Sequence, residues 1–182
     1  MIRTRRALFL VAILLMLAPA AAMAQGKGGK SSGDMSVSAN LGFGNAIDDD
    51  FEGIEPFLNG TFEYHTSPEI AWRALLGFVS FEADDADVDV DYIVMNANIM
   101  YYFGGDGADP YLTGGLGLYD TEFDGPGLDN EGDLEIGFNV GGGVDIPISD
   151  TFAIKIEGLF HFVSGDGPDT LFTATGGAKW TF

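Results

Sequence analysis

Phe152-Ala-Ile-Lys-Ile-Glu-Gly-Leu-Phe-His-Phe162 sets the reading of the whole chain. Phe152, Ile154, Ile156, Gly158, Phe160 and Phe162 share one phase of a two-residue period, and Lys155, Glu157 and His161 share the other. Side chains alternate across an extended strand, so the segment has one apolar and one polar face. The same period predicts strands at 35–44, 54–64, 69–81, 91–103, 110–119, 133–146, 151–162 and 170–182, divided by Gly, Asp and Pro. Their apolar phases hold 46 positions without a charge, in a chain that is 20% charged. Random placement would put about nine charges there. The opposite phase is rich in Ser, Asn, Thr and Gly, and it carries Arg73, Lys155 and Lys179.

Composition narrows the function classes. The 182 residues include 8 Lys+Arg against 28 Asp+Glu, a net charge of −20. From Asp34 onward Arg73, Lys155 and Lys179 are the only cations and all 28 acids are present. Such a body repels phosphate backbones, which excludes ordinary nucleic-acid binding. Zero Cys excludes disulfide scaffolds, thiolate metal sites and cysteine nucleophiles. Basic Met1–Arg6, the apolar run Ala7–Ala18 and the Ala22-Met-Ala24 site form an export signal, with cleavage expected after Ala24. Residues 1–24 are therefore read as a signal peptide, 25–33 as a flexible Gly/Ser/Lys leader and 34–182 as one β-domain. Nothing after Gln25 is long and apolar enough for a membrane helix, so entry into a bilayer requires a closed barrel.

One polar and one apolar face suit either a soluble barrel or its inverse in lipid. Three features favour the inverse. The polar phase is Gly, Asn, Ser and Thr rich, as suits a filled lumen. The strands exceed the roughly 9–11 residues that a tilted strand needs to cross hydrocarbon. Connections alternate between long (45–53, 82–90, 120–132, 163–169) and shorter (65–68, 104–109, 147–150), like outer loops and periplasmic turns. Tyr64, Trp72, Tyr101, Phe103, Phe152, Trp180 and Phe182 gather on the outer face near the short-turn rim, as an interfacial girdle does. The expected fold is an all-β, eight-stranded, antiparallel, up-and-down transmembrane β-barrel following an N-terminal signal peptide.

Pro110-Tyr-Leu-Thr-Gly-Gly-Leu-Gly-Leu-Tyr119, Gly137-Phe-Asn-Val-Gly-Gly-Gly-Val-Asp-Ile-Pro-Ile-Ser-Asp150, Phe152–Phe160 and Gly176-Gly-Ala-Lys-Trp-Thr-Phe182 resemble the OmpA/OmpX-type small outer-membrane barrels. The resemblance covers about 34–182 and implies residence in the outer membrane, among its lipids and lipopolysaccharide. It also implies that terminal Trp180 and Phe182 are read by the barrel-assembly machinery. It implies no activity.

Twenty of the 28 acids fall at the four outer connections. Like charges at that density attract cations, and Mg²⁺ or Ca²⁺ are suitable hard counterions. Within Asp120-Thr-Glu-Phe-Asp-Gly-Pro-Gly-Leu-Asp-Asn-Glu131, the residues Asp120, Glu122, Asp124 and Glu131 occupy positions 1, 3, 5 and 12 of a calcium-loop pattern with Gly125 at 6. They are the candidate ligands of a weak Ca²⁺ site, although Glu122 departs from the pattern and the flanks are strands. His161 and Ser164 are the only pair suggesting lipid-directed hydrolysis, and a spacing of three puts them on opposite faces of a strand. His65 reads as a turn residue. Glu63, Arg73, Lys155, Glu157 and Lys179 are expected to pair inside the lumen.

These features lead to an integral outer-membrane protein that is not an enzyme, has no resident cofactor, and serves envelope structure or surface interaction through acidic loops. The other readings are a lipid A-modifying enzyme, a small-solute channel and a soluble periplasmic barrel. The orientation is open to measurement. In liposomes a spin label at Leu76 is expected to relax with lipid-soluble oxygen, and one at Asn98 to be shielded; the reverse pattern excludes the membrane barrel.

Overall fold

The computed structural model describes residues 30–47, 54–82, 89–105, 107–124, 132–164 and 170–182. Eight strands follow one another: β1 (Met35–Ala46), β2 (Ile54–His65), β3 (Ile70–Glu82), β4 (Asp89–Tyr102), β5 (Asp109–Asp124), β6 (Gly132–Pro147), β7 (Phe152–Ser164) and β8 (Thr170–Thr181). Each pairs antiparallel with its sequence neighbour, and β1 pairs with β8 to close the barrel. A path across the ring from Ser36 runs through Glu63, Arg73, Asn98, Gly115, Asn139, His161 and Leu171, and returns to β1 at Ala46. The stagger is ten residues, which tilts the strands of an eight-stranded ring by about 40°.

The faces are inverted relative to a soluble barrel. Leu41, Ile54, Trp72, Ile99, Leu112, Leu116, Ile136, Phe138 and Ile156 are exposed on the outside. Ser36, Asn40, Asn59, Thr61, Glu63, Arg73, Asn98, Asn139, Lys155, Glu157 and Lys179 are buried within. The girdle lies where the sequence puts it: Tyr64 is level with Trp72, Ile70 with Tyr101, and the Phe152 and Trp180 rings are 5.3 Å apart. Among the described residues the opposite rim has Phe in place of Trp and Tyr on its outer face, with a run Phe43–Phe172–Phe160 at centroid separations of 6.4 and 4.9 Å.

Two expectations change. β5 continues five residues beyond 119, because Asp120-Thr-Glu-Phe-Asp124 keeps the two-residue period and pairs with Asp89–Ile93. The acidic connections are correspondingly shorter than expected, and the extra length is strand. The lumen is also not uniformly polar. Phe57, Leu75, Val79, Tyr92, Val94, Leu159, Val163 and Leu171 point inward at the loop end and form a buried apolar cluster with Ala46 and Tyr119.

The β8–β1 seam requires close backbone approach. A Cβ at Gly177 would run into the Ala39 carbonyl and the Asn40 side chain, and one at Gly42 into the Ala174 carbonyl. Gly177→Leu should therefore lower the barrel's unfolding free energy by about 1–3 kcal/mol in urea titrations in micelles. A midpoint equal to wild type would mean that the seam is looser than described.

Candidate functional site

The turn-side half of the lumen holds the chain's concentrated chemistry. Glu63 comes from β2, Arg73 from β3, Tyr102 from β4, Tyr111 and Thr113 from β5, Asp145 from β6, Lys155 and Glu157 from β7, and Lys179 from β8. Strand alternation aims all of them inward, and none is more than 4% exposed. Arg73 pairs with Glu157, while Lys155 and Lys179 both pair with Glu63. Lys179 also donates to Asp145 at 2.7 Å and to the Tyr102 hydroxyl at 3.0 Å. Tyr102 in turn donates to Glu63 at 3.0 Å, and Tyr111 to Glu157 at 2.9 Å.

Three acids face three bases, so the network is neutral in sum. Isolated charges in such a place are expensive, and pairing with added hydrogen bonds offsets much of the desolvation. All five residues expected to pair from the sequence do so. Asp145, Tyr102 and Tyr111 were missed. Each occupies the inward phase of its strand, and that phase was the available sign.

Above the network lies an amide and hydroxyl tier. Asn40 donates to Asn59 at 2.7 Å, and the Ser38 and Thr61 hydroxyls are bonded at 2.6 Å. His161 is buried there, with Nδ1 3.1 Å from the Tyr119 hydroxyl and Nε2 3.1 Å from the Thr173 hydroxyl. Ser164 is exposed at an outward position, so the two residues are on opposite faces. The expectation for His65 is corrected. It is the last residue of β2, fully buried, with its ring 5.3 Å from that of Tyr102, because the two-residue period runs one step further than the sequence boundary allowed.

Of the candidate calcium ligands, Asp120, Glu122 and Asp124 occupy alternate positions of β5, and Glu131 lies outside the described residues. Among the described residues no group of three or more His, Asp or Glu is arranged to hold one metal ion. The register sets Asp91 opposite Glu122, and Asp89 opposite both Asp124 and Glu82.

The end of the leader is tied to the barrel. The Gly33 amide donates to the His65 carbonyl, and the His65 amide to the Asp34 carbonyl, at 2.8 and 2.9 Å. Lys30 lies under the turn-side mouth, 3.0 Å from Asp109 and 3.5 Å from Asp145.

A closed eight-stranded barrel with lipid-compatible outer residues, an aromatic girdle and a charge-balanced ion-pair network inside is an integral outer-membrane β-barrel protein. The sequence matches the outer membrane protein beta-barrel domain over residues 10–182, and the chain belongs to that family. No curated protein matches the sequence. Among solved structures the chain is similar to Neisserial surface protein A (TM-score 0.69, 15% identity, 82% of this chain and 99% of that one). It is similar also to Ail, the attachment invasion locus protein of Yersinia pestis (TM-score 0.61, 17% identity, 83% and 99%). The outer membrane enzyme PagL is a further neighbour (TM-score 0.52, 17% identity, 79% and 97%). At these identities the likeness is one of fold.

The network is open to a mutant cycle. Arg73→Met leaves Glu157 a buried carboxylate without its guanidinium and should cost about 3–5 kcal/mol of unfolding free energy. Arg73→Met with Glu157→Gln should recover a large part of that loss. Additive losses in urea titrations would show that the pair is not coupled.

Proposed function

We propose that the protein is a non-enzymatic outer-membrane barrel whose acidic outer rim is its working surface, drawing divalent cations between itself and the anionic envelope. The observation that carries this is the register at the outer end of β3, β4 and β5, where acid stands opposite acid. Like charges directly opposite across a strand pair destabilise it. Hard divalent cations with oxygen ligands relieve that repulsion, and Asp120, Glu122, Asp124 and Glu131 are the first ligands to test. Export with removal of residues 1–24, and delivery to the barrel-assembly machinery through Trp180 and Phe182, complete the reading.

Two features bear on the other readings. PagL is an outer membrane enzyme on a similar fold, which makes an enzymatic role the second reading. Against it, His161 is bonded at both nitrogens inside the barrel and Ser164 is on the other face, a poor start for a base and nucleophile. The lumen has an apolar cluster at one end and ion pairs at the other, which favours a filled barrel over a channel. Ail has been solved with the heparin analogue sucrose octasulfate. A polyanion is an unsuitable partner for this rim, whose charge has the same sign.

Ca²⁺ or Mg²⁺ at millimolar concentration is expected to raise the urea midpoint of the refolded barrel, and EDTA to reverse the gain. Asp89→Asn with Asp124→Asn should raise the midpoint without metal and blunt the response to it. No response to either ion would remove the cation role. A change in lipid A mass on expression would replace the structural reading with the enzymatic one.

A further inference from the structure

The turn-side mouth contains a cavity of about 310 Å³, with Lys30, Asp109, Asp145, Asp150, Phe152 and Lys179 in its wall. Its inner end is built for an ammonium group, and one is there. Lys30 Nζ stands 3.4 Å from the centroid of the Tyr102 ring, with the Asp109 and Asp145 carboxylates at 3.0 and 3.5 Å. An aromatic face flanked by carboxylates recognises an alkylammonium through the ring quadrupole and charge-assisted hydrogen bonds. Asp145 is 1% exposed, and its Oδ1 is buried without a hydrogen-bond partner. Such an oxygen is costly until a donor reaches it.

Lys30 is a local occupant on a short tether. A turn brings it under the barrel: the Asp34 carboxylate accepts from the Ser31 amide at 2.6 Å, and Gly33 adopts φ +94°, a left-handed conformation suited to glycine. The fit carries a penalty. Burial foremost, and then neighbouring Lys179, pull the Lys30 pKa below its ordinary value, outweighing Asp145 and Asp109, which push it up. The Lys30 side chain is held over Tyr102 against that penalty.

We propose that the turn-side mouth is a binding site for linear primary alkylammonium ligands, diamines and polyamines, and that Lys30 is an intramolecular occupant which such a ligand displaces. One ammonium takes the place of Lys30 over Tyr102, between Asp109 and Asp145. The alkyl chain lies along Phe152, and a second ammonium reaches Asp150 at the cavity's edge. Asp109, Asp145 and Asp150 outnumber Lys30 and Lys179 in the wall, so the cavity favours cations over anions.

The test is titration of putrescine and spermidine into the ¹⁵N-labelled refolded chain, residues 25–182, in micelles with about 0.3 M NaCl to screen the acidic rim. The reporters are the amides of Ser31, Gly33, Ser149 and Thr151. Saturable shifts at these amides are expected. Lys30→Gln, which frees the site, should tighten binding about tenfold, the factor expected if Lys30 fills it nine-tenths of the time. Asp109→Asn, at the start of β5 and outside the main ion-pair network, should weaken it while the barrel keeps its heat-modifiable gel mobility. Shifts confined to the acidic loops would mean that amines bind the rim alone and would overturn the proposal. Equal affinity in wild type and Lys30→Gln would overturn it as well, because Lys30 would then not be the occupant.

Discussion

Hydrocarbon offers no partner to a free backbone N–H or C=O, and that constraint governs everything else in this barrel. The first strand must find the last. Residues Ser36–Ala46 pair along β8 from Thr181 back to Leu171, and the small residues Gly42 and Gly177 let the two backbones meet. Closure with a ten-residue stagger fixes the tilt, and the tilt fixes which inward residues share a level. Glu63 sits beside Arg73 but pairs with Lys179 and Lys155 across β1, two and three strands away, while Arg73 reaches Glu157 on the opposite side of the ring. These cross-lumen pairs exist only in the closed form, so closure and the ion pairs support one another.

The lumen has three tiers. Apolar side chains fill the loop end, amides and hydroxyls the middle, and ion pairs the turn end. A buried ion pair contributes little net stability beside a well-packed apolar substitute. Its stronger effect here is on register. Slipping one strand by one residue would turn its lumenal charge into the lipid and bring a lipid-facing apolar residue into the network. Glu63, Arg73, Asp145, Lys155, Glu157 and Lys179 distribute that penalty over β2, β3, β6, β7 and β8. An apolar tier alone would tolerate such slips better, since Leu75 and Leu76 are equally at home on either side.

The strands were legible because lipid and lumen impose opposite demands on adjacent residues, as Phe152–Phe162 shows. The misreadings arise where that contrast fades. At Leu75-Leu76, Leu159-Phe160 and Leu171-Phe172 both faces are apolar, so the inward cluster left no alternation to read. In Asp120–Asp124 the density of acid suggested a loop, although the two-residue period continues and the ladder with β4 follows it. Lys30 was illegible for another reason. Gly- and Ser-rich sequence reads as flexible, and the turn between Ser31 and Asp34 that anchors it depends on a carboxylate three residues away. His65 shows the smallest failure, a strand end misplaced by one residue that concealed a buried ring. The acidity of the rim could be counted in the sequence, but the facing of acid against acid required the register.

Charge partition links the lumen to the rim. After Lys30 the chain has three basic side chains, Arg73, Lys155 and Lys179, and the barrel buries all three. They are engaged with Glu63, Asp145 and Glu157, so the turn-side network is neutral and the net charge of the body is carried by the remaining acids. Most of those acids stand at or near the outer connections, where the strands supply no Lys or Arg to face them. A soluble acidic protein spreads such charge over its whole surface. Here the lipid belt forbids that, and the excess is compressed into one rim within a few Debye lengths. Counterions for the rim must therefore come from outside the chain. The cation role proposed for the rim would follow from how the barrel solved its interior, and a change that buried one fewer base would alter the rim without touching a loop residue.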